Sequence, residues 1–121
     1  MLVTYDDKVE KILSDDKELM RTVDIQMAKT IRKREQDLKS FNNFWDYLQH
    51  GLGKPHSLED SKGKKDEGYY GVSLTGNYRL IVKPNCQTYD AESLKECEEV
   101  VIIGVRDYHG KNEEWLMPWI N

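Results

Sequence analysis

The sequence predicts an α+β domain, with an N-terminal helical hairpin packed on a small, mainly antiparallel β-sheet in the order β-α-α-β-β-β. Three observations carry that prediction. Up to about residue 50 the apolar residues recur at helical spacing, and beyond residue 68 they alternate or run together as in strands. No linker or internal repeat divides the 121 residues, so residues 1–121 are expected to form a single domain of ordinary size.

Residues 2–5, Leu-Val-Thr-Tyr, are a short β-prone run suited to an edge strand. Asp6 or Asp7 then caps a helix in which Val9, Ile12 and Leu13 share a face. Val23, Met27, Thr30, Ile31, Arg34 and Leu38 line one face of a second helix, and Lys29, Arg32, Lys33 and Asp37 cover the other. Phe41, Phe44, Trp45 and Leu48 extend that helix or form a separate turn, and Gly51, Gly53 and Pro55 stop it. Two such helices form a hairpin able to cover one face of a sheet.

Residues 59–68 read as a polar loop. The runs GYYGVSL and NYRLIVK then read as two strands around Thr75-Gly76-Asn77, a tight turn in which glycine is free to adopt positive φ. Tyr70, Val72 and Leu74 share a face of the first strand, as do Tyr78, Leu80 and Val82 of the second. Pro84 ends the second strand. The apolar run Val-Val-Ile-Ile-Gly-Val at 100–105 has the pattern of a central strand covered on both faces. The tail carries Trp115 and Trp119 and is expected to pack back on the domain.

The chain is 38% hydrophobic and 33% charged, as expected of a globular, water-soluble protein. It has no apolar run long enough to span a bilayer and no secretory-type N-terminus, so no membrane association and a cytoplasmic location are expected. Cys86 and Cys97 lack CxxC spacing and a histidine pair, and are expected to be free thiols rather than zinc ligands. The net charge of −4 is concentrated between Asn85 and Glu99, where five acids face one base. Between His50 and Pro84 there are six bases against four acids. The modest basic excess therefore falls on the strand hairpin and the loop before it.

If Val100–Val105 pairs antiparallel with Tyr78–Lys83, the end of the last strand, Arg106-Asp107-Tyr108-His109, lies beside Gly76-Asn77-Tyr78-Arg79. Histidine titrates near neutrality and serves as base or acid. Arginine offers a planar fork of donors to phosphate oxygens, and tyrosine stacks on a base or donates a hydrogen bond. The grouping is thus a candidate phosphate-handling site. Each residue also has a plain reading: Arg79 pairing with Asp107 across the strands, Asn77 serving the turn, His56 shaping a loop next to Pro55, and the lysines at 62–65 simply solvated.

The segments LGKPHSLE, GYYGVSLTGNYRLIVKP and VIIGVRDYHGKNEEW together resemble the second half of HigB-like "killer protein" toxins of the RelE/ParE superfamily. The resemblance covers residues 52–84 and 100–110, and the N-terminal helices fit by pattern only. It implies a RelE-like fold and a type II toxin that acts as a metal-independent, cofactor-free endoribonuclease, an mRNA interferase cutting mRNA on the ribosome. It also implies a cognate antitoxin of helix-turn-helix type encoded beside it. His109, Arg79, Tyr108 and His56 match the family's catalytic positions, with Arg79 stabilising the phosphorane and the histidines moving protons or touching phosphate. Asn77 and Asp107 match its substrate-positioning residues, and Lys54, Lys62, Lys64 and Lys65 supply phosphate contacts nearby. Three features depart from the pattern: Glu59 stands where a base is common, twelve residues follow His109, and the chain is acidic overall. These leave two other readings open, a non-catalytic ParE-like toxin poisoning a protein such as gyrase, or a degenerate member that binds its antitoxin as co-repressor.

Overall fold

A computed structural model describes residues 1–59, 65–109 and 112–117, the description of Glu59, 65–67, His109, 112 and 113 being of the backbone. The elements run β1 (Leu2–Tyr5), α1 (Asp7–Leu13), α2 (Asp16–Thr22), α3 (Ile25–Lys39), α4 (Phe44–His50), β2 (His56–Glu59), β3 (Lys65–Ser73), β4 (Tyr78–Pro84), α5 (Ala91–Lys95), β5 (Glu99–His109) and β6 (Asn112–Met117). This is the expected α+β class with added detail. The predicted first helix stops at Leu13 and a further helix, α2, follows, while the 41–48 cluster forms α4 rather than extending α3. Asp6, Asp15, Asp24, Asn43 and Asp90 each cap a helix by accepting a backbone N–H, which explains why the helical half breaks where it does.

The strands form one sheet in the order β1-β5-β4-β3-β2. β1 runs parallel to β5 and the other pairs are antiparallel. β5 meets β4 along one side; on its other side β1 pairs with its first half and β6 with its second. The tail therefore packs back as a strand through Met117, and residues 118–121, Trp119 among them, lie outside the described residues. His56, expected in a loop, opens β2, because the chain leaves the Gly51–Lys54 turn directly into pairing with β3. In that turn Gly53 has φ 76, and a Cβ on it would lie 2.6 Å from Val72 Cγ1.

The helices cover one face of the sheet. Val9, Leu13, Leu19, Ile31, Leu38, Phe44 and Tyr47 meet Val72, Leu80, Val82, Val100, Ile102 and Val105 in a single core, and Tyr70, Leu74 and Tyr78 pack at its margin. Full burial of each aliphatic side chain contributes about 1.5–3 kcal/mol. Under β1, Glu35 is 2% exposed. It accepts hydrogen bonds from Tyr5 Oη and from Arg32 Nη1, the latter at 2.6 Å, and Arg32 also reaches Asp16 at 2.8 Å and the Leu13 carbonyl at 2.7 Å. The network ties β1, α3 and the α1–α2 junction together.

The other face differs from expectation. Val101 and Ile103 are partly exposed, so β5 is fully covered only on its helix side. Ile103 is a β-bulge: Ile81 pairs with Gly104, yet its neighbour Val82 pairs with Ile102. Val100, Ile102 and Val105 consequently all point into the core, and residues beyond Val105 have the opposite phase to the one regular alternation would give. No described helix is long and apolar enough to cross a membrane.

Candidate functional site

The open face of the sheet is built in rows, because outward positions on neighbouring strands stand side by side. Ser73, Arg79, Arg106 and Trp115 make one row, paired in register across β3, β4, β5 and β6. His56, Gly71, Ile81 and Gly104 make the next, two residues along, and there Gly71, Ile81 and Gly104 are buried while His56 stays exposed at the edge. Lys83 and Val101 follow after another two, with the Tyr69 ring beside Lys83. Glycine at position 71 matters here: a Cβ on it would lie 3.5 Å from His56 Cε1, so the bare backbone lets the imidazole lean over the sheet. His56 is exposed, with Nδ1 3.3 Å from the Lys54 carbonyl.

Arg79 and Arg106 stand opposite each other on this face. Arg79 Nη1 donates to the carbonyls of Gly76 at 3.1 Å and Tyr78 at 2.9 Å, which draws its guanidinium toward the hairpin turn. Arg106 lies over the Trp115 ring, 4.2 Å from its centroid. Together the two guanidiniums concentrate positive charge on one stretch of the face. Phosphate matches the donor geometry of two arginines.

The antiparallel pairing expected from the sequence does bring the end of β5 to the start of β4, and Tyr108 N–H donates to the Asn77 carbonyl at 3.0 Å. The detail differs. Arg79 stands opposite Arg106, not Asp107; Asp107 stands opposite Tyr78, whose side chain packs on the core. An Arg79–Asp107 pair is therefore not formed, and Asp107 lies on the helix side with its Oδ1 buried, away from the arginine row. Tyr108 shares the phase of Arg106 and so belongs with the open face. The backbone of His109 lies three residues beyond Arg106, roughly 10 Å along the strand. Its side chain, that of Lys65, and all of Lys62 and Lys64 lie outside the described residues. Lys54 and Asn77 are exposed at the two turns flanking the face, and Lys54 holds a positive φ of 51°.

Sequence reasoning missed Arg106 and Trp115 as members of the site. With regular alternation from Val100, Arg106 faces the helices; the bulge turns it outward. The available signal was Gly104, since an isolated glycine inside a strand marks a bulge or close approach. Among the described residues no group of three or more His, Cys, Asp or Glu is placed to hold a metal ion.

No family model and no curated protein matches this chain. Solved structures do. The chain is similar to the YoeB/ParE toxin from Agrobacterium tumefaciens, with 18% identity over 90% of this chain and 100% of that one, at a TM-score of 0.53. It is also similar to the YoeB dimer from Staphylococcus aureus, with 18% identity over 90% of this chain and 97% of that one, at a TM-score of 0.51. At such identity the likeness is one of fold: the chain has the α+β fold of YoeB/ParE toxins.

Proposed function

We propose that this chain is the toxin of a type II toxin–antitoxin pair, of the HigB-like branch of the RelE/ParE superfamily, and that it cleaves mRNA on the ribosome. The observation that carries the chemical part is the Arg79–Arg106 pair on the open sheet face, flanked by His56, Tyr108 and Trp115. The ribose 2′-OH attacks the adjacent phosphorus, the bond to the 5′-oxygen of the next nucleotide breaks, and a 2′,3′-cyclic phosphate and a 5′-OH result. The two arginines stabilise the extra negative charge of the phosphorane, and His56 and His109 take the 2′-OH proton and supply one to the departing 5′-oxygen. Tyr108 and Trp115 stack on bases splayed from the strand. Lys54, with the lysines at 62, 64 and 65 and the amide of Asn77, contacts flanking phosphates. Asp107 supports the strand end from the helix side. The protein works in the cytoplasm and is held inactive by an antitoxin of helix-turn-helix type encoded beside it.

The test is inducible expression of the wild type, Arg79→Ala, Arg106→Ala and His109→Ala, with global mapping of mRNA 5′ ends. Growth arrest with codon-phased cuts is expected for the wild type, and cutting about 100-fold weaker for each arginine variant. Arrest without cuts in translated messages overturns the ribonuclease reading and points to poisoning of a protein target.

A further inference from the structure

Beyond the arginine row, the same open face carries a second feature that the cleavage chemistry does not use. Between β3, β4, β5 and the start of the 85–99 connection lies a cleft of about 340 Å³, lined by Tyr69, Tyr89, Lys83, Val101, Ile103 and Asp6 among others. That volume suits a single flat ring system. Its floor is apolar because the bulge at Ile103 puts an extra aliphatic residue on the outward side next to Val101. Its walls are aromatic. Lys83 Nζ lies 4.8 Å from the centroid of the Tyr69 ring. Tyr89 is seated by Gly68, which has φ +84 and on which a Cβ would fall 2.3 Å from Tyr89 Cζ, so the ring packs directly on the backbone of β3. Tyr69, Lys83 and the partly exposed Val101 and Ile103, with Tyr89 at the rim where it also meets the core, make a stacking platform, and every base has a π-face to offer it.

The placement selects the ligand. Lys83 is four residues from Arg79 on β4, about 13 Å along the strand, so cleft and arginine pair lie on the same face with the fully buried Ile81 between them. Asp6 stands at the edge of the cleft, its carboxylate accepting the Lys8 N–H. A carboxylate there repels phosphate and accepts hydrogen bonds from base N–H groups, so the cleft suits a base rather than a phosphate. We propose that this cleft is a nucleobase subsite, stacking on Tyr69 and Tyr89 a base that flanks the scissile phosphodiester. The subsite rests on the RNA reading above and adds to it a base contact outside the reacting centre.

Two measurements separate the failure of one from the failure of the other. The first is binding of a hexamer with 2′-O-methyl riboses, which has no free 2′-OH to attack, to the wild type and to Tyr69→Ala, Tyr89→Ala and Tyr89→Phe, each checked for folding by circular dichroism. Each alanine variant should bind about 5- to 150-fold more weakly and the phenylalanine variant like the wild type. The second is an NMR titration with AMP, CMP and UMP, read on the tyrosine ring protons, in which each nucleotide should shift them and ribose 5-phosphate, which has no base, should not. A hexamer bound through the arginines but indifferent to both alanine variants overturns the subsite and leaves the cleavage reading standing. Tyrosine-dependent binding of the mononucleotides without any RNA cleavage in cells does the reverse. A wild type that binds neither hexamer nor mononucleotide overturns the subsite, as do equal shifts with ribose 5-phosphate, while the cuts mapped in translated messages decide the cleavage reading.

Discussion

Arg79 and Arg106 stand directly opposite each other on the face of the sheet that the helices leave open, one bent toward the hairpin turn and the other stacked on Trp115. The stacking of Arg106 on Trp115 is a cation–π contact of about 0.5–1 kcal/mol. Arg106→Ala should therefore lower the unfolding free energy by no more than about 1 kcal/mol while RNA cleavage falls about 100-fold. An unfolding free energy that drops by several kcal/mol in parallel with activity would mean that Arg106 is structural.

The buried carboxylate of Glu35 is held by Tyr5 and Arg32, and Arg32 keeps Asp16 and the Leu13 carbonyl as further partners. Glu35→Ala removes charge-assisted hydrogen bonds and should cost about 2 kcal/mol. The value lies below that of a fully buried pair because the Arg32 side chain is 32% exposed and remains solvated. Chemical denaturation of the variant at neutral pH measures it.

The same network sets an alkaline limit. Burial, then the hydrogen bond to Glu35 and its charge, push the Tyr5 phenol from 10.0 up to about 12. The folded state thus favours the neutral phenol. The contribution is complete below the unfolded value and is lost as pH rises through the folded one. Between pH 10 and 12 the wild type should lose stability relative to Tyr5→Phe, as the difference between their urea midpoints across that range reports. A difference that stays flat across that window removes Tyr5 from the account.

Cys97 is buried and Cys86 half-buried, and both are free thiols. Burial, with the neighbouring Cys97, pushes the Cys86 thiol up to about 11. Since the thiolate is the reactive form, alkylation of the native protein at pH 8 should be at least tenfold slower than that of the urea-unfolded chain. Mass spectrometry over time gives both rates.

Gly53 combines positive φ with a backbone pressed against Val72 and Arg34. Gly53→Ala should cost about 1–3 kcal/mol through strain and overpacking. It should also loosen the entry of β2, so His56 protons in the NMR spectrum should broaden or shift.

Much of this protein is set by local chemistry that can be read along the chain. Asp6, Asp24 and Gly76 act through their immediate neighbours: two carboxylates accept backbone N–H groups at helix starts, and one glycine takes φ 55 in a hairpin turn. The alternation of Tyr70 and Val72, and of Leu80 and Val82, fixes which side of β3 and β4 meets the helices. Antiparallel order alone brings the end of β5 to the start of β4. What tertiary pairing decided is the phase of β5. One bulge at Ile103 turns Arg106 outward to face Arg79 and Asp107 inward beside Tyr78, and it lays the apolar floor of the Tyr69–Tyr89 cleft. A bulge is a choice of partner between two strands rather than a propensity of one, and in the sequence only Gly104 hints at it.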